Sequence, residues 1–174
     1  MTNKDDLRQK AKRIRETLDM ETISKSIVSN IRKTEVYNSA KRVMLFFPLK
    51  NEVDLRALLK DDKEFYLPRV NGEELEVCRY RKGDELVMSE FKVFEPITSP
   101  VSKSIIDLVL VPALCVDEHC NRLGYGKGYY DRFLKDYKKM SIIVIPEELI
   151  FSDVCSEMHD ICCSSFITQK KSLC

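Results

Sequence analysis

Tryptophan is absent from this chain, and only five of its 174 residues are glycine. Collagen-like and glycine-rich low-complexity architectures are therefore excluded. No run of about 18 apolar residues occurs, which excludes a transmembrane helix. The first residues, MTNKDDLRQKAKRIRETL, alternate in charge and lack an apolar stretch, so they do not read as a secretory signal. Excess charge is missing too: 29 lysines and arginines face 28 aspartates and glutamates, for a net charge of +1. With no basic stripe either, nucleic acid and membrane are not expected partners. Nor do the seven cysteines contain a Cys-x-x-Cys pair. An odd number without paired spacing points to free, mostly buried thiols in a cytoplasmic protein. Cys155, His159, Cys162 and Cys163 are ligand types that zinc accepts, but their spacing fits no paired knuckle and zinc is not expected.

What is present is an ordinary globular mixture, 44% hydrophobic and 33% charged. The length suits one domain spanning 1–174 rather than two. Leu7, Ala11, Ile14 and Leu18 recur at helical spacing over 4–18, with Thr2 or Asn3 available as cap. Ile23, Ile27 and Ile31 form a stripe over 21–33, with Asp19 near its start. The pattern then changes. Residues 42–48 (RVMLFFP) are a continuous apolar run ended by proline, which suits a buried strand. Helical character returns over 53–60, and strands are expected at 64–68 and 75–80 around the turn signal Asn71-Gly72. Residues 95–104 read as a loop. The strongest strand candidate is 105–111 (IIDLVLV), followed by a helix over 129–138 and strands at 141–146 and 161–168. Strands alternating with helices predict an α/β fold with a mostly parallel central sheet flanked by helices.

Three of the five glycines, Gly124, Gly126 and Gly128, fall between that strongest strand and the next helix. Glycine permits positive φ and close approach of a ligand to peptide N–H groups. Arg122, Lys127 and Arg132 bring positive charge to the same place, and such a loop before a helix is a means of holding phosphate. The P-loop pattern does not fit, because Lys127 is followed by Gly128 and Tyr129, and the dinucleotide pattern fails because the spacing is G-x-G-x-G.

The segment Arg122-Leu-Gly-Tyr-Gly-Lys-Gly-Tyr-Tyr-Asp131 resembles the signature of 5-formyltetrahydrofolate cyclo-ligases. The similarity continues in Val111-Pro112 and Asp117, in the Lys4-x-x-x-Arg8 pair, in Phe47 with the following PLKNE ending at Glu52, and in His159-Asp160. It departs from the family at Val116 and Cys120, where an aromatic and a glycine are common. It departs again in the Pro146-Glu147-Glu148-Leu149 run, where a Phe-x-x-Gln-like run is common.

The resemblance implies a Rossmann-like domain similar to sugar-phosphate isomerases and CoA transferases. It also implies ATP-dependent closure of 5-formyltetrahydrofolate to 5,10-methenyltetrahydrofolate, with ADP and phosphate released. ATP would be held by Lys4, Asp5, Asp6, Leu7 and Arg8, with Arg122, Leu123, Gly124, Tyr125, Gly126, Lys127, Gly128, Tyr129 and Tyr130. The folate would meet Phe47, Glu52, Tyr125, Gly126, Lys127, Gly128 and Tyr129. Lys127, Arg122 and Tyr129 would be catalytic, Asp131 and Asp160 would carry Mg²⁺, and the small-molecule substrate would be the partner of a monomer.

On their own residues the same side chains have plainer uses. Lys4 and Arg8 could lie on a solvated helix face, Glu52 could favour a helix start, and Asp160 could serve a turn. Asp131 could pair with Lys127 or Lys135. A sugar-phosphate isomerase or phosphate-ester binder on the same fold is the alternative function.

Overall fold

The computed structural model describes residues 2–171. Two amphipathic helices open the chain, α1 (Lys4–Glu16) and α2 (Met20–Arg32). Asn3 caps α1 in a reciprocal capping box with Asp6, and the Asp19 carboxylate accepts from Thr22 N–H at the start of α2. These bonds satisfy amide donors that a helix start leaves unpaired. A short α3 (Glu35–Ser39) leads into β1 (Arg42–Met44). β2 (Glu64–Asn71) and β3 (Glu74–Tyr80) form a hairpin, followed by β4 (Leu86–Met88), β5 (Phe94–Pro96) and β6 (Pro100–Val101). Then come β7 (Leu108–Val111), β8 (Cys115–Val116), β9 (Arg122–Leu123), α4 (Tyr129–Leu134), β10 (Met140–Val144) and β11 (Ser165–Ile167).

Among the described residues, seven strands form the main sheet in the order β11-β10-β7-β1-β2-β3-β6. β11, β10, β7, β1 and β2 run parallel, and β3 and β6 add antiparallel pairs. Strict alternation along the central strands sends side chains to two cores. Val109, Val111, Met44, Ile143 and Phe166 pack with Leu7 and Ala11 of α1 and Phe133 of α4. Leu108, Leu110, Val43, Leu45 and Ile142 pack with Ile23, Ile27 and Ile31 of α2. Strands buried on both faces read as unbroken apolar runs, which is why they were visible in the sequence.

Local departures have local causes. Residues 56–60 form a 3-10 turn rather than an α-helix, closed by Leu58 N–H to Leu55 O at 3.0 Å and Asp61 N–H to Leu58 O at 2.9 Å. β2 runs through Pro68 because this residue lies beyond the β1–β2 ladder, which ends at Tyr66, and so removes no ladder donor there. α4 ends at Leu134, and the Tyr137 hydroxyl then donates to Ile106 O at 3.0 Å. The expected loop at 95–104 contains the end of β5 and all of β6.

β1 sits at the centre of the sheet. The chain leaves it for β2 on one side, and β7 pairs on the other. In open parallel sheets such a reversal of strand order leaves a crevice beyond the strands' carboxyl ends, where ligands bind.

Candidate active site

Three of the site's segments are connections beyond the sheet's carboxyl edge: the turn after β1, the loop after β7, and the crossover between β10 and β11. Together with the start of α1 and the β2–β5 region they enclose a cavity of about 730 Å³.

The loop after β7 is built from the small β8–β9 hairpin. Its turn is organised by the buried Asp117, whose carboxylate accepts from His119 N–H at 2.9 Å and from Asn121 N–H and Nδ2, both at 3.0 Å. Cys120 occupies the left-handed region at φ 64°, the conformation that a glycine would adopt without strain. β9 then delivers Arg122 into the cavity wall. Its guanidinium is buried, lies 5.6 Å from the Tyr130 ring centroid and donates to Asp131 Oδ1 at 3.1 Å.

Gly126 and Gly128 take φ of 101° and 70°. A Cβ at Gly128 would come 2.8 Å from the end of the Arg132 side chain, which would have to shift, whereas one at Gly126 would meet Arg8 at an ordinary contact distance of 3.5 Å. It is the backbone conformation, more than space, that calls for glycine here. α4 has only six residues, so its dipole is a lesser feature than the loop itself.

α1 grips this loop from one side. Arg8 Nε donates to Gly124 O at 3.0 Å, and Lys4 Nζ donates to Asp160 Oδ2 at 2.8 Å. From the other side, Arg132 donates to Lys127 O at 2.9 Å and Glu73 O at 2.7 Å, and lies 5.1 Å from the Tyr129 ring centroid. Lys127 is exposed along the cavity rim.

The far end is aromatic and apolar. Phe47 meets Tyr80 edge-on at 5.3 Å, and Phe91 meets Tyr129 edge-on at 6.1 Å. Among these groups lies Glu52, 7% exposed, which accepts from Leu49 N–H at 2.7 Å. Burial raises the proton affinity of Glu52 above the ordinary carboxylate, against the opposing effects of Leu49 N–H, Arg15 and Tyr125.

Lys4, Arg8, Phe47, Glu52, Asp160 and all of 122–131 line the one cavity. Asp5, Asp6 and Leu7 do not. Asp5 pairs with Arg8 at 2.7 Å, Asp6 belongs to the capping box, and Leu7 is buried in the core. Asp131 is engaged by Arg122, not by Lys127 or Lys135, and it also accepts from Ile161 N–H at 3.1 Å.

Sequence reasoning missed the β4–β5 hairpin, which contributes Ser89, Phe91, Val93, Phe94 and Glu95 to the wall. Glu95 anchors it by accepting from Val70 N–H at 2.7 Å. The signal was two short apolar runs, 86–88 and 93–94, on either side of a polar turn.

The 5-formyltetrahydrofolate cyclo-ligase family matches residues 1–169. This chain belongs to that family. It is an enzyme of the cyclo-ligase class, and the associated reaction converts 5-formyltetrahydrofolate to 5,10-methenyltetrahydrofolate. The membership decides against the sugar-phosphate alternative. The mouse 5-formyltetrahydrofolate cyclo-ligase is 26% identical over 144 residues, covering 71% of each chain. The NMR structure of the Aquifex aeolicus 5,10-methenyltetrahydrofolate synthetase is similar over 97% of this chain and 90% of that one, with TM-score 0.85 and 32% identity. A Mycoplasma pneumoniae 5,10-methenyltetrahydrofolate synthetase shares the fold, with TM-score 0.78, 20% identity, and coverage of 97% and 99%. No helix among the described residues is long and apolar enough to cross a membrane.

Proposed function

We propose that the chain closes the folate ring by moving the γ-phosphoryl group of ATP onto the formyl oxygen, releasing ADP. An amide oxygen is a poor leaving group, and a phosphorylated one is a good one. The formyl oxygen forms the new O–P bond as the bond to the ADP oxygen breaks. The N10 lone pair then attacks the formyl carbon, N10 gives up its proton, and the C–O bond breaks with its electron pair leaving on phosphate. Atoms and charges balance as 5,10-methenyltetrahydrofolate, ADP and phosphate.

One observation carries this reading: a single cavity joins a cationic glycine loop to an aromatic wall containing a buried carboxylate. In it, Arg8, Arg122 and Lys127 hold the phosphates with the loop's N–H groups, as positioning and charge neutralisation require. Lys4 borders the same end. Phe47 and Tyr129 flank the pterin, and Glu52 accepts from its polar edge or from N10. Tyr125 and Tyr130 complete the wall between the two halves.

Asp131 and Asp160 supply carboxylate oxygens, the donor type that Mg²⁺ prefers. Arg122 and Ile161 engage Oδ1 of Asp131, which leaves its Oδ2 to offer. Lys4 and Glu157 engage Oδ2 of Asp160, and the exposed His159 ring lies 3.4 Å from its Oδ1, so that ring would have to turn aside for Asp160 to offer this oxygen. Mg²⁺ held there would neutralise phosphate oxygens. We take the enzyme to act in the cytoplasm as a monomer; sedimentation of the purified protein checks the monomer.

The route is tested with substrate carrying ¹⁸O in the formyl group. The label is expected in the released phosphate; label in water instead would overturn the phosphorylated intermediate.

A further inference from the structure

α1 carries more than the cations of the phosphate end. Arg15, near its last turn, is 4% exposed. One guanidinium nitrogen donates to Asn51 O at 2.8 Å; the other donates to Ala113 O and to Leu114 O, the latter at 3.4 Å. Asn51 lies in the turn after β1, beside Glu52. Ala113 and Leu114 lie in the segment that leaves β7 for the glycine loop. A single side chain therefore spans the two connections that flank the reversal in strand order.

Packing alone does not account for an arginine here. Burial depresses its proton affinity, and its Nε has no hydrogen-bond partner among the described residues. A buried guanidinium is costly where an apolar side chain of similar volume would serve. The fork does what an apolar group cannot, holding two backbones in one geometry.

The turn at 49–52 keeps its own shape. Leu49 N–H donates to Glu52 Oε1 at 2.7 Å, Glu52 N–H donates to Leu49 O at 3.1 Å, and Asn51 takes the left-handed φ of 63°. These bonds are internal, so they leave open where the turn sits relative to the glycine loop. The β1–β7 ladder ends at Met44 and Val109, before either connection begins.

We propose that Arg15 is a positioning residue that sets the distance between the folate half and the phosphate half of the site. It does not line the cavity and acts through Asn51, Ala113 and Leu114; its charge also offsets the burial of Glu52, an influence that lysine in its place keeps. This rests on the proposed placement of folate at the Glu52 end. Because the 49–52 turn is self-closed, each half keeps its own ligand when Arg15 is removed, and what is lost is their alignment.

The test uses Arg15→Met and Arg15→Lys, with folding checked by circular dichroism and thermal melting. The turnover at saturation is compared with calorimetric affinities for Mg-ATP alone and 5-formyltetrahydrofolate alone. Arg15→Met is expected to lower kcat by about 10²-fold, the effect of a misplacement on the order of 1 Å, while each separate affinity stays within about threefold. Arg15→Lys keeps the charge but lacks the fork, and its kcat should remain at least about tenfold down. If Arg15→Met does not fold, Arg15→Lys decides. A folded Arg15→Met with kcat within about twofold of wild type overturns the proposal, as does full recovery of kcat by lysine. Collapse of one affinity with kcat unchanged overturns it too. Wild-type protein without ATP-dependent turnover would instead remove the functional reading beneath it.

Discussion

Lys4 and Asp160, 156 residues apart in sequence, meet at 2.8 Å and join the first helix to the last crossover at the edge of the cavity. Burial alone would raise the Asp160 carboxyl, but the bonds from Lys4 and Glu157 N–H hold it below the ordinary value. Lys4 is shifted up: burial opposes its charge, and Asp160 and Glu157 outweigh that.

A depressed carboxyl contributes stability above its unfolded value, and that contribution is lost as pH falls through the folded value. Asp160→Asn should therefore melt below wild type at neutral pH, and the gap should close as the pH drops below roughly 3.9, the ordinary aspartate value. Melting curves across the acid range check this. A gap that persists in strong acid would show that the ion pair is not its source.

Lys127→Ala should lower kcat by about 10²-fold or more, the loss expected when a preorganised charge at a transferring phosphoryl is removed. Lys127 is exposed, so stability should change by no more than about 0.5 kcal/mol. Retained turnover would reduce it to a surface residue.

Glu52→Gln separates stability from function. Its raised proton affinity means that the folded protein is more stable when Glu52 is protonated, and this stability is lost as pH rises through the folded value. Glutamine removes the cost of burying the charge and keeps an acceptor for Leu49 N–H. The variant should melt no lower than wild type at neutral pH, with the difference closing below roughly 4.3, the ordinary glutamate value. Its KM for folate should rise about tenfold, the order expected when a charged hydrogen bond to a ligand is lost, with ATP affinity retained. Loss of ATP affinity alone would place Glu52 at the other end of the site.

Asp131→Asn should cost stability as well as activity, because it removes the negative partner of the buried Arg122 guanidinium. A loss of roughly 1–3 kcal/mol is expected for such a charged hydrogen bond. A higher Mg²⁺ concentration for half-maximal rate would support the metal role. An unchanged Mg²⁺ dependence would make Asp131 a structural anchor of Arg122 and Ile161.

The helices and central strands were legible because each advertises its burial locally, by a helical stripe at Ile23, Ile27 and Ile31 or by the run 108–111. The glycine loop was legible because so few glycines occur elsewhere. The β4–β5 and β8–β9 hairpins were not, since strands of two or three residues are specified by pairing at a distance rather than by periodicity. Arg15 stood on α1 among other charges like any solvated residue; only the tertiary approach of Asn51 and Ala113 gives it a role. The partner of Asp131 was hidden for the same reason: neither Lys127 nor Lys135 pairs with it, and Arg122 returns to it across the loop.

The central claim is ATP-driven closure of the folate ring in this cavity. The direct measurement is the absorbance of 5,10-methenyltetrahydrofolate formed from the 5-formyl compound by purified protein with Mg²⁺, with ATP present or omitted. Product that forms only with ATP, at one ADP per ring closed, is the predicted result. Equal turnover without ATP, or none from folded protein at any Mg-ATP concentration, would contradict it.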